Sequence, residues 1–201
     1  MIPIQRFKEP SYFDSKVRMK GQSFLKKYNG KVPHDVCFPD YWTACKDDLY
    51  SNYKGICAYT CLHIHKMTSN PNVEHIKPKR LFPHLAYEWE NYCLACSRIN
   101  ARKGERLNII DPFDVKKNMF FLVLETGHIY ANPKPPDRKK AEITIKELDL
   151  DNQLWACSRR DYFICYRSFI ADGLKPTRAE TFLKAMSPFV WYEAKRQNRL
   201  K

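Results

Sequence analysis

The sequence has no run of about 18 apolar residues, so it offers no segment that reads as a transmembrane helix. Its first ten residues, MIPIQRFKEP, contain neither an apolar core nor a small-residue cleavage site, which argues against a secretory leader and for a cytoplasmic chain. Internal repeats and low-complexity tracts are absent, which excludes solenoid and fibrous architectures. Acidic residues are scarce: Asp plus Glu number 22 against 35 Lys plus Arg, a net charge of +13. That imbalance favours a polyanionic partner, nucleic acid first and an anionic membrane surface second, with plain solubility as the remaining account.

What is present fits one domain, or one domain with arms, since 201 residues enclose a core without staples. Hydrophobic residues at 44% and aromatics at 14% exclude wholesale disorder. Eight cysteines in a chain without a leader read as reduced thiols or metal ligands.

Proline divides the chain. Residues 1–35 are polar and basic with scattered aromatics. Residues 40–53 predict a helix, with Asp40 as N-cap and Trp42, Cys45, Leu49 and Tyr53 at helical spacing. Residues 70–91 are loop-rich around a short strand, Val73 to Ile76, and residues 96–104 predict a helix stopped by Gly104. The apolar run 119–125 reads as a buried strand turning at Thr126-Gly127 into 128–130. Residues 131–140 read as a basic, proline-rich loop. Helices are expected over about 151–171 and about 177–199, the second opened by a Thr177/Glu180 capping box. Cys157 and Cys165 are expected as buried thiols.

The informative stretch is 57–104. It holds Glu74-His75, then Asn91, then Asn100 and Lys103. Hydrolysis of a phosphodiester needs a base for water near neutral pH, and His75 is suited to that. Charge developing on the phosphate and the leaving oxygen needs a hard cation, for which Glu74 and Asn100 offer oxygens. Asn100 and Lys103 are three apart and share a helix face. Glu74 and His75 are adjacent and would face opposite ways in a regular strand, so both reach one site only where the strand ends.

The order EH–x15–N–x8–N–x2–K, and the words VEHIKPK, WENYCLAC and INARKG, resemble the HNH, or ββα-metal, nuclease motif over residues 55–105. More loosely, AYEWENY, LAC and NARKGE followed by IIDPFD are similar to HNH proteins of bacterial anti-phage systems, the Septu nuclease subunit and its retron-associated relatives, which pair with an ATPase. The resemblance implies an α+β fold with a central ββα-metal module: strands at about 72–76 and 92–95, a helix at about 97–104, and mostly helical extensions at both ends. The implied division is an arm and helix over 1–54, the nuclease module over 55–110 and an α+β extension over 111–201. The implied activity is Mg²⁺- or Mn²⁺-dependent hydrolysis of nucleic acid, DNA favoured over RNA or tRNA. His75 is then the base, Asn91 the residue that fixes the loop, and Glu74 and Asn100 the metal ligands. Lys103 touches phosphate, and Lys77, Lys79, Arg80, Arg98, Arg102 and Arg106 supply the nucleic-acid surface. A catalytically weak binding or regulatory subunit is the alternative.

Many HNH proteins frame this hairpin with two zinc-binding CxxC pairs. Here the matching positions are Cys57 and Thr60, then Cys96 and Ile99, so no structural zinc is expected. Cys57, Cys61, Cys93 and Cys96 form a shifted set as the outside possibility. Burying Ile99 instead contributes roughly 1.5–3 kcal/mol. His63 and His65 are read as structural or solvent-facing, and His84 lies in the loop between His75 and Asn91. Apolar residues in 1–35 and 177–201 serve either the chain's own core or the partner ATPase.

Overall fold

The computed structural model describes residues 1–134, 136 and 138–201. The expected loop 131–140 includes Pro135 and Asp137, which lie outside the described residues. The fold is α+β, with eight α-helices and two two-stranded antiparallel sheets among the described residues. It forms two compact units, one of Gln5–Gly55 with Ile64–Leu107, the other of Met1–Ile4, Ile56–His63 and Asn108–Lys201.

In the first unit, a π-helical turn over Asp14–Arg18 runs into helix α1, Met19–Lys26. The apolar residues of this basic segment are largely used internally: Phe13, Val17 and Phe24 are buried. Gly21 is the point of closest approach, because a Cβ there would lie 2.0 Å from Cγ of Tyr87. The helix expected over 40–53 begins as a 3₁₀ turn, Tyr41–Cys45, before helix α2, Lys46–Asn52. Asp40 caps through its backbone carbonyl, which accepts from the Thr43 amide and hydroxyl, and its side chain makes no capping bond. After a one-turn helix α3, Lys66–Ser69, strand β1, Pro71–His75, pairs antiparallel with β2, Tyr92–Cys96. Every residue of β2 is buried. Helix α4, Ser97–Lys103, follows directly and buries Ile99 and Lys103.

In the second unit the apolar run 119–125 yields only a short strand β3, Phe120–Leu122, paired with β4, Ile129–Ala131. Gly127 turns at φ +76°, and a Cβ there would lie 1.9 Å from the carbonyl oxygen of Ala156. Helix α5, Arg138–Leu148, occupies residues read as loop and beyond, burying Ala141, Thr144 and Leu148. Helix α6, Gln153–Ala171, starts on Asn152, whose side-chain oxygen accepts from the amides of Leu154 and Trp155. Cys157 is half-buried and Cys165 exposed, contrary to expectation, because neither lies on the inward face carrying Ala156, Phe163 and Tyr166.

The single helix expected over 177–199 is two: α7, Pro176–Met186, and α8, Pro188–Arg196. Pro188 has no N–H to continue the ladder and opens α8 at its first turn. Pro176 likewise opens α7, so Thr177 lies inside the helix and forms no capping box. Glu180 instead accepts from the Trp191 indole at 2.9 Å. Glu193 is buried and accepts the Leu122 amide at 2.9 Å, tying α8 to β3. No helix among the described residues is long and apolar enough to cross a membrane.

Candidate functional site

The β1–β2 pair places His75 opposite Tyr92 and Glu74 opposite Cys93. His75 is the last residue of β1. The strand ends where two adjacent side chains can serve one place, and both line a cavity of about 250 Å³. Pro78, Lys79, Arg80, Asn100, Gly104 and Glu105 complete its wall.

The His75 ring is buried, edge-on to Trp42 at 4.7 Å and to Tyr92 at 5.1 Å between centroids. Its Nε2 lies 2.9 Å from the Ala86 carbonyl oxygen. A carbonyl only accepts, so Nε2 carries the proton and the lone pair of the neutral ring sits on Nδ1. Burial lowers the imidazole pKa from 6.5 to about 3, with Lys79 and then Lys103 lowering it further and the Ala86 bond opposing. The ring is therefore neutral at physiological pH.

Asn91 precedes β2 and is buried. Its Oδ1 accepts the Lys77 amide at 2.7 Å, and its Nδ2 donates to the carbonyls of Lys77 and Leu85, each at 3.0 Å. One side chain thus clasps both ends of the loop that carries Ala86 onto His75. Tyr92 adds a hydroxyl bond to the same Ala86 oxygen at 2.8 Å.

Asn100 and Lys103 do share a face of α4, but their surroundings differ. Asn100 is half-buried and lines the cavity. Lys103 is fully buried, its Nζ 3.1 Å from Glu74 Oε1 and donating to the His75 carbonyl at 2.6 Å. The ammonium expected at a phosphate is paired in the interior with the carboxylate expected to hold metal. The other expected nucleic-acid residues divide. Lys79 and Arg80 line the cavity, Lys79 with its ammonium 4.5 Å from the Trp42 ring centroid and Arg80 with Nη1 donating to the Pro33 carbonyl at 2.8 Å. Lys77, Arg98, Arg102 and Arg106 are exposed.

Trp42, the Ala86 carbonyl and Glu105 were not singled out by sequence reasoning. Glu105 was findable, as a carboxylate two residues beyond Lys103. Trp42 and the carbonyl were not, because their proximity to His75 is long-range.

Glu74 and Asn100, a carboxylate and an amide, line one cavity, and side-chain oxygens of this kind are the donors that a hard cation takes. Cys57, Cys61, Cys93 and Cys96, the remote zinc possibility, are all buried and form no disulfide.

No family model matches the chain. It is 26% identical over 157 residues to a protein of Vibrio cholerae serotype O1 biovar El Tor named "Retron Vc95 putative HNH endonuclease"; the match covers 73% of this chain and 72% of that protein. The chain therefore resembles a protein that is named for a retron and for the nuclease class whose motif residues 55–105 resemble.

Proposed function

We propose that this chain is a divalent-metal-dependent HNH endonuclease that hydrolyses phosphodiester bonds of nucleic acid, DNA favoured. The observation that supports this best is the convergence of Glu74, His75 and Asn100 with Lys79 and Arg80 on one cavity. His75 is the general base: held neutral and oriented through Nε2, it accepts a proton from water at Nδ1. Lys79 and Arg80 bind the phosphate flanking the cut. Asn91 holds the loop that positions the imidazole. A divalent ion held by Glu74 and Asn100 would supply positive charge toward the phosphate and leaving oxygens.

Incubation with supercoiled plasmid and Mg²⁺ or Mn²⁺ tests the reading. Wild-type protein nicks or linearises the plasmid, and His75→Gln, which keeps a donor toward the Ala86 carbonyl, does not. Equal cutting by the two proteins would refute the assignment of the base. The buried Glu74–Lys103 pair favours a second reading, a catalytically weak nucleic-acid-binding subunit, because the carboxylate is already neutralised. Binding without cutting at any metal concentration would select it.

An anti-phage role under the control of an ATPase partner is supported by the resemblance and by the retron name of the relative. Co-purification with an ATPase encoded beside it tests that role. Terminal deletions do not, because Phe13, Val17, Leu183, Phe189 and Val190 are core residues of their own units.

A further inference from the structure

A second cavity, of about 680 Å³, lies in the same unit as the candidate site. Its size falls within the range of small-ligand clefts. Leu25 and Tyr87 give it an apolar floor, and Lys26, Asn29, Lys31, His84 and Glu88 its polar wall, the Glu88 carboxylate being paired with Arg18 at 2.7 Å. Lys26 and Lys31 are exposed and have no ion-pair partner among the described residues. The turn that ends α1 holds this wall open: the Gly30 amide returns to the Leu25 carbonyl at 3.1 Å, and no atom lies within 4 Å of where a Gly30 Cβ would point.

Two connections tie this groove to the candidate site. Arg80 lines the first cavity and donates to the carbonyl of Pro33, two residues beyond Lys31. The other connection is the loop itself. His84 and Tyr87 line the groove, while Leu85 and Ala86 between them accept from Asn91 and His75.

We infer that this groove holds an unpaired nucleotide of the substrate strand flanking the scissile phosphate. Lys26 and Lys31 take its phosphates, and the apolar floor over Leu25 takes its base. The inference rests on the nuclease reading of the first cavity. An unpaired base is required because only an unstacked base presents a face to an apolar floor.

The test measures fluorescence anisotropy of labelled single-stranded and duplex oligonucleotides on His75→Gln protein, with and without Lys26→Gln/Lys31→Gln, across a salt series. Losing two phosphate contacts should make the single-strand slope of log K against log salt shallower by about 1.4. Affinity for the single strand should fall, and affinity for the duplex should change much less. Unchanged single-strand slope and affinity overturn the inference, as does an equal loss on duplex, which leaves no place for a base. An unchanged slope with a lost protein partner also overturns it. Plasmid cleavage by the unsubstituted wild-type protein separates the two claims: cutting with an unchanged slope removes the groove alone, whereas the expected slope change without cutting removes the nuclease reading. Both lysines are exposed, so the double variant should melt with the parent.

Discussion

The ammonium of Lys103 lies 3.1 Å from Oε1 of Glu74, with both side chains buried. Removing one partner of such a pair leaves an uncompensated buried charge and costs about 3–5 kcal/mol. Lys103→Met should therefore unfold at markedly lower urea. Lys103→Met combined with Glu74→Gln should recover part of the loss. A double-mutant cycle reads the coupling, expected to exceed about 1 kcal/mol; additivity within about 0.5 kcal/mol would show that the two are independent. The salt dependence of nucleic-acid binding should not follow Lys103, because its ammonium is not at the surface.

The burial that keeps His75 neutral makes the metal-free protein sensitive to acid. The unfolded chain takes up this proton near pH 6.5, the folded chain only near about 3. Between those values the unfolded state binds more protons, so stability is full above 6.5 and falls as pH drops toward 3. The loss is on the order of 5 kcal/mol. Urea midpoints of wild type and His75→Gln from pH 7 to pH 4 test this, with a flatter curve expected for the variant. His75→Ala would be a poor control, since it opens a void between Trp42 and Tyr92.

Gly21 is far in sequence from the candidate site yet is expected to affect it. A methyl group there would sit 2.0 Å from the Tyr87 ring, and Tyr87 is next to Ala86, whose carbonyl holds His75. Gly21→Ala must displace α1 or the ring. Overpacking of this kind costs typically about 1–3 kcal/mol. The variant should lose stability and also kcat, with little change in substrate affinity. Wild-type turnover in a destabilised Gly21→Ala protein would show that the loop absorbs the shift before it reaches His75.

The short-range features were legible in the sequence because local physics decides them. The hairpin and helix of residues 71–103 follow from the β-like piece before Pro78, the apolar YCLAC word and the Gly104 stop. Alpha5 was also within reach, since Ala141, Thr144 and Leu148 have helical spacing, but the β-branched ITI at 143–145 and the prolines before it obscured the period. The break at Pro188 was equally visible and was overridden by the continuous apolar face. Long-range neutralisation was not legible. That Lys103 turns inward to Glu74 depends on how α4 sits against β1, and an N-A-R-K word reads the same for a buried or a solvated lysine.

Asn91→Asp should separate shape from chemistry. The carboxylate keeps the acceptor for the Lys77 amide but loses both donors, toward the Lys77 and Leu85 carbonyls. Each buried acceptor left without a donor costs about 1–3 kcal/mol. Amide exchange over residues 77–86 should accelerate, and cleavage should fall even though Asn91 does not line the cavity. Unchanged exchange in that loop would show that the clasp is dispensable.

The last prediction concerns how tightly the site holds a cation. Glu74 already has one oxygen on Lys103, so its charge toward an incoming ion is compensated. Asn100 adds a dipole and no charge. The metal-free protein should then bind Mg²⁺ or Mn²⁺ weakly, and the phosphate of the substrate must complete the shell. A ligand that binds only the folded state raises the melting temperature according to RT ln(1 + [L]/Kd). Wild type should therefore show a small Mn²⁺-dependent rise in melting temperature, and Asn100→Ala almost none. In cleavage, Asn100→Ala should be impaired in Mg²⁺ and partly restored by raised Mn²⁺. Asn100→Asp, which adds a charge at the same place, should shift the melting temperature more than wild type at equal Mn²⁺. A rise identical in all three proteins would mean that the ion binds elsewhere and that Asn100 is not a ligand.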